Sequence, residues 1–247
     1  MLKPVFKNAD LEYQMNENGY VVIPGFLPHE VVHELLALYK KHHNESEAGC
    51  WNSIYDLPTG EGKPISDAIT AVVTPYLDKY FKDFKFPAAI FIVKNPYKGH
   101  ESLVHRDDSM HNEREVEYRQ CWVPLVDITE TNGTLYVVPR SHKLFTDERP
   151  MFAPWQHKVH APRLEKEFVN LYPKAGDLVV YFDKTLHGSY KNESTETRPV
   201  FQGGVMHKEA EPLFTRYNPA NNMVESYAVD PDFFFSKEYM QKNINTR

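Results

Sequence analysis

Two stretches of this chain carry residue types at spacings that suit a metal ion. The first is HEVVH, His29 to His33, which fits the H-E-x-x-H pattern. In that pattern two histidines one helical turn apart hold zinc, and the glutamate activates water. The second is His105-Arg106-Asp107. Side chains alternate along a strand, so residues 105 and 107 share a face and offer an imidazole and a carboxylate to one ion. Asp108 is a second carboxylate, and the same alternation turns it away and favours Asp107. A histidine from another strand would complete a set that leaves three octahedral positions open, as non-haem Fe(II) oxygen chemistry needs.

His187 is the candidate, and Arg198 follows eleven positions later across a polar loop. If that loop is a hairpin turning at Glu193-Ser194, Ser189 stands opposite Arg198, and His187, Ser189 and Arg198 converge. A buried guanidinium beside an open metal site is costly unless an anion meets it. A dicarboxylate cosubstrate would bring two oxygens to its fork.

The elements around these residues favour the second stretch. HEVVH starts directly after Pro28, in the first turns of a helix predicted to reach about His43. Val32, Leu35, Leu36 and Tyr39 form its apolar stripe, which excludes His29 and His33. Glu30 complements the helix dipole at one end, and Lys40, Lys41, His42 and His43 do so at the other. No third ligand follows on a second helix, so a zinc peptidase is the competing reading. A short strand is predicted at YVVI, residues 20–23, and a second helix from Ser66, capped there and bent or interrupted near Pro75.

Beyond residue 86 the texture changes to short β-branched and aromatic runs at 88–93, 102–107, 118–126, 134–139, 167–173, 177–182, 187–190 and 198–206. Turn residues such as Asn132-Gly133 and Gly176-Asp177 separate them. Short strands without long intervening helices predict a mainly β fold, an antiparallel sandwich or barrel. From Glu209 the Pro-, Asn- and aromatic-rich chain is predicted to be irregular.

Composition sets the outer bounds. The 247 residues, 41% hydrophobic, suffice for one sizeable core, read here as a single domain. A net charge of −6 without a basic stripe argues against a nucleic-acid partner. No apolar h-region opens the chain, and no apolar stretch approaches the ~20 residues that span a bilayer. Cys50 and Cys121 are isolated and form no disulfide framework, so a reducing, cytoplasmic setting is expected.

Four segments in order resemble the phytanoyl-CoA dioxygenase family of Fe(II)- and 2-oxoglutarate-dependent oxygenases. They are NGYVVIPGFLPHEVVHELL, HRD, CWVPLVDITETNGTLYVVPRSHK and LHGSYKNESTETRP. The resemblance implies a double-stranded β-helix, a cupin-like jelly roll over residues 87–206. It implies a helical flank at 1–86 packed on the barrel and an extension at 207–247. It assigns His105, Asp107 and His187 to Fe(II), and Arg198 with Ser189 to 2-oxoglutarate. Lys94, Trp122 and Thr134 are then candidates for the cosubstrate pocket, with O2 as second cosubstrate. Arg140 stands where family members often have Gly. The implied reaction hydroxylates an unactivated C–H bond and releases succinate and CO2. A carboxylate ligand in Asp107 favours hydroxylation over halogenation. Arg106, Arg119, His111 and Arg140, with Lys98, lie near the expected mouth. Facing inward, they would suit a small anionic or zwitterionic metabolite, amino-acid-like or phosphonate-like; an acyl-CoA stays open. The non-catalytic alternative is a jelly-roll ligand-binding module, because a fold alone does not fix a function.

Overall fold

The computed structural model describes residues 5–43, 49–97, 101–145, 148–151, 161–236 and 238–239. Its N-terminal part runs α1 (Ala9–Asn18), β1 (Tyr20–Ile23), α2 (His29–His42), β2 (Cys50–Asn52) and α3 (Gly62–Tyr80). The strands β3 (Phe84–Lys85), β4 (Ala89–Lys94), β5 (Ser102–His105), β6 (Tyr118–Pro124) and β7 (Leu135–Val137) follow. A short helix α4 (Ala161–Leu164) precedes β8 (Val169–Leu171), β9 (Leu178–Phe182), β10 (His187–Ser189) and β11 (Arg198–His207). The hairpin β12 (Leu213–Asn218) and β13 (Met223–Ala228) comes last.

Seven strands form one antiparallel sheet in the order β1-β9-β6-β11-β4-β2, with β3 on the C-terminal end of β11. Four form a second sheet, β5-β10-β7-β8. Alternation along the strands builds two cores. Trp122, Val179, Tyr181 and Val200 of the large sheet meet Leu135, Val137 and Leu171 of the small one. Their neighbours Cys121, Val123, Val180 and Phe201 point the other way, onto Val32 and Leu35 of α2 and Ile69 and Val73 of α3. The result is three layers: helices, large sheet, small sheet. Strands β6 and β9 are buried on both faces; β9 therefore reads as a continuous apolar run, whereas β6 carries the buried polar Arg119 and Gln120 at its start. Among the described residues no strand pairs across from one sheet to the other, so the jelly roll is an open sandwich and not a closed barrel.

Several expectations need correction. Helix α3 begins four residues before Ser66, and Ser66 Oγ accepts the Ala89 N–H at 2.9 Å instead of capping the helix. That helix also continues through Pro75. Helix α1 was not anticipated: Asn8 caps it by accepting from Asp10 and Leu11 N–H, and Gly19 closes it at φ +83°. The strand predicted at residues 20–23 is β1, one edge of the large sheet, and the other edge, β2, was not anticipated in the helical flank. The segment after Glu209 is not irregular either; it forms the β12–β13 hairpin, paired in register from Leu213–Ala228 to Asn218–Met223.

Candidate metal centre

The small sheet brings the predicted ligands together. His105 ends β5 and stands directly across from His187, the first residue of β10, with ring centroids 4.3 Å apart. Each ring is anchored through Nδ1 to a carbonyl two residues back. His105 bonds Leu103 O at 2.7 Å and His187 bonds Thr185 O at 2.9 Å. A carbonyl only accepts, so Nδ1 carries the proton in both rings and Nε2 is the atom turned toward Asp107. The Asp107 Oδ1 atom lies 3.7 Å from Nε2 of His105 and 3.5 Å from Nε2 of His187. Ligand atoms of all three residues fall within 4.8 Å of one another, the spacing a single ion requires. Among the described residues Asp107 Oδ2 is buried with no hydrogen-bond partner, as expected of a carboxylate shaped for an ion. Burial alone would raise this carboxyl, but His187 and His105 override it and hold it well below the usual carboxylate range. Asp107, not Asp108, is therefore the acid that meets both imidazoles.

Arg198 lies on the other sheet. It heads β11, pairs with Lys94 of β4, and shares the inward parity of Val200. Its guanidinium sits 5.6 Å over the Trp122 ring, fully buried, and neither Nε nor Nη1 has a partner among the described residues. Burial pulls this guanidinium down to about 10. Lys94, also buried, donates to the carbonyls of Ser189, at 3.0 Å, and Tyr190. Burial and the nearby Arg198 charge pull it down to about 6. The predicted Ser189–Arg198 hairpin does not form. The chain leaves the small sheet after Ser189 and enters the large one at Arg198, because β10 pairs with β5 and β7 while β11 pairs with β4 and β6. The two residues approach across the sandwich, through Lys94, instead of along a ladder.

The sequence profile described as Phytanoyl-CoA dioxygenase (PhyH) matches residues 15–200. That interval holds the triad, Lys94 and Arg198. The chain belongs to the phytanoyl-CoA dioxygenase family. It is 35% identical to "Phytanoyl-CoA dioxygenase 1" of Oryza sativa subsp. japonica over 135 residues, 51% of this chain and 47% of the rice protein. The chain spans about half the length of the curated plant relatives it matches. Two solved structures share the fold. The non-haem α-ketoglutarate-dependent carbocyclase SnoK from nogalamycin biosynthesis has a TM-score of 0.59 at 20% identity, covering 83% of this chain and 86% of its own. HygX from Streptomyces hygroscopicus, with nickel and 2-oxoglutarate bound, has a TM-score of 0.57 at 15% identity, covering 80% and 86%.

Other residues of this PhyH family member fall less simply. Thr134 is buried in the loop before β7, where its hydroxyl donates to Thr129 O at 2.5 Å. Arg119 is not brought to the triad: it shares the parity of Cys121 and faces α1, bonded to Glu12 at 2.6 Å and Glu117 at 2.8 Å. Arg140 is exposed at φ +66°, its N–H on Asn18 O at the end of α1. That backbone conformation explains why glycine suits the position. Arg106 is not turned to the triad: it shares the parity of Val104 and is buried 4.1 Å over the Phe145 ring, which packs on Val104. His111 is buried, stacks on Tyr118 at 5.5 Å and lies 3.7 Å from Asp183. Lys98 lies outside the described residues. His29, Glu30 and His33 are exposed on α2, and no metal-spaced cluster among the described residues includes them.

Sequence reasoning missed Gly133 and Arg149. Gly133, at φ +88°, is where a Cβ would come 2.9 Å from Lys94 Cδ and 3.4 Å from Arg198 Nε. The Asn132-Gly133 pair was a visible signal, read only as a turn. Arg149 carried no local signal, since its acidic partners Glu113 and Asp183 are 36 and 34 residues away.

Proposed function

We propose that this protein is an Fe(II)- and 2-oxoglutarate-dependent dioxygenase that hydroxylates an unactivated C–H bond of a small polar metabolite, releasing succinate and CO2. One observation carries the reading: a three-ligand cluster on one sheet is matched by a buried guanidinium with unpaired nitrogens on the other. Desolvating such a cation costs several kcal/mol unless an anion meets it. A dicarboxylate anchored by the metal at one end would do so. His105, Asp107 and His187 would hold the metal, and Arg198 would take the distal carboxylate. Fe(II), with 2-oxoglutarate and O2, would supply the oxidising chemistry that side chains lack.

The chain's own contribution is positional. The Leu103 and Thr185 carbonyls set both histidine tautomers. Trp122 floors the guanidinium, and Lys94 ties the Ser189–Tyr190 turn to it. Ser189 shares the parity of His187 and is a candidate second donor to the cosubstrate. Apolar Val179, Tyr181 and Val200 exclude water from the space between the sheets. The neighbouring fold in HygX has been solved with hygromycin B bound, which agrees with a small-molecule substrate.

Anaerobic titration with Fe(II) and then 2-oxoglutarate tests the reading. A weak visible charge-transfer band is expected from the wild type and none from Asp107→Ala or His105→Ala. A metabolite screen reading succinate above the uncoupled background then identifies the substrate. A wild-type protein without the band would be a binding module, and full succinate release by Asp107→Ala would remove the assigned centre.

A further inference from the structure

The two histidines of the triad are fixed by strand pairing, but Asp107 is not, because β5 ends at His105. Its peptide group is held instead by two long-range contacts. The Asp107 N–H donates to Asp183 O at 2.9 Å, and the Asp107 carbonyl accepts from Arg149 Nε. The remaining guanidinium nitrogens of Arg149 are also committed. One lies 2.8 Å from Glu113 Oε1 and the other 2.9 Å from Asp183 Oδ2. Arg149 is itself clamped: its N–H donates to Ser109 Oγ at 2.8 Å and its carbonyl accepts the Ser109 N–H at 3.0 Å. Asp183 stands four residues before His187, so the network joins the segments carrying two of the three ligands. The same strip of chain is tied to the C-terminal hairpin by Met151 N–H on Thr215 O at 2.8 Å.

We propose that Arg149 is a positioning residue that sets the Asp107 carboxylate for metal, with Asp183 and Glu113 as its counter-ions and the C-terminal hairpin as its brace. The inference rests on the metal-centre reading given above. Its physical basis is that a loop carboxylate otherwise samples several orientations, and the entropy of ordering it would be charged against metal affinity. A planar guanidinium can serve three acceptors at once, and an ammonium on a flexible stem cannot reproduce that geometry.

The test uses the full chain, stripped of metal and titrated with Co(II), with the cobalt visible spectrum and metal-free thermal unfolding as readouts. Arg149→Met and Arg149→Lys are expected to weaken Co(II) binding about 10–100-fold and to change the visible band. Arg119→Met is the control: it too removes a buried arginine paired with two carboxylates, but on the helix side. It is expected to lower the unfolding temperature and keep wild-type Co(II) affinity. Should Arg149→Met fail to fold, Arg149→Lys and Glu113→Gln answer the question, the latter with a several-fold weakening. Wild-type affinity and spectrum in a folded Arg149 variant would overturn the inference while leaving the metal centre intact. A wild-type protein that binds no Co(II) would overturn the dioxygenase reading and this inference with it.

Discussion

Replacing Arg198 by Met tests the link between the buried guanidinium and the cosubstrate, because the expected effects on stability and binding have opposite signs. The guanidinium is held at about 10 against an ordinary 12.5. At about 1.4 kcal/mol per tenfold, that corresponds to roughly 3 kcal/mol of disfavour for the charged form. A cation whose folded value is depressed keeps this penalty at every pH below about 10, and it fades only between there and 12.5. At neutral pH the ligand-free wild type therefore bears all of it. Met retains much of the apolar stem over Trp122, so the variant should gain roughly 1–3 kcal/mol after packing losses. For a chain of this size each kcal/mol is worth about 2–4 °C in unfolding temperature. Breaking a buried carboxylate–arginine pair costs about 3–5 kcal/mol, so 2-oxoglutarate affinity should fall roughly a hundred- to a thousand-fold or more. Calorimetric titration of the anaerobic metal-loaded protein and ligand-free thermal unfolding measure the two effects. A variant that is less stable without ligand and binds 2-oxoglutarate as before would refute the reasoning.

Three further outcomes follow from the geometry. Gly133→Ala places a Cβ against Lys94 at φ +88°; it should lower stability by about 1–2 kcal/mol and weaken 2-oxoglutarate binding, with Co(II) affinity unchanged. Arg140→Gly relieves a left-handed residue at φ +66°, so thermal unfolding should rise by about 2–4 °C for a gain of about 1 kcal/mol. His111, pulled down to about 4 from 6.5 chiefly by burial, stays neutral in the fold while the unfolded chain protonates. Stability should thus fall as pH drops from 6.5 to about 4, by about 3 kcal/mol from this group. A urea-denaturation series should show His111→Phe with a flatter profile in that window, and parallel curves would count against the assignment.

The candidate cluster was legible where chemistry and local spacing coincide. His105-x-Asp107, His187 and Arg198 could be named as candidates because a metal and a dicarboxylate would demand those residue types, and the fold brings the first three within 4.8 Å of one another. Their relation in space could not be read so far: the eleven-residue interval looked like a hairpin, and it is a passage between sheets. Arg119 was misjudged for an avoidable reason, since it has the parity of Cys121 and Val123, opposite to Trp122. LFTRYN and MVESYA flank a Pro219–Asn222 turn, but neither run alternates apolar with polar residues, so the C-terminal hairpin left no period-two signal. The Arg149 network is set by tertiary contacts alone, and no periodicity reports it.

The two candidate histidine ligands stand on one sheet, with Asp107 just beyond its edge strand, and the guanidinium stands on the other, with no strand pairing between the sheets among the described residues. A bound diacid would then act as a rivet between two leaves otherwise joined by apolar contact and by the Lys94 bonds to the Ser189 and Tyr190 carbonyls. At a hundredfold excess over its dissociation constant such a rivet adds about 2.7 kcal/mol to the folded state. Depletion of the diacid would loosen the leaves, and the protein's resistance to proteolysis would then track the diacid's concentration.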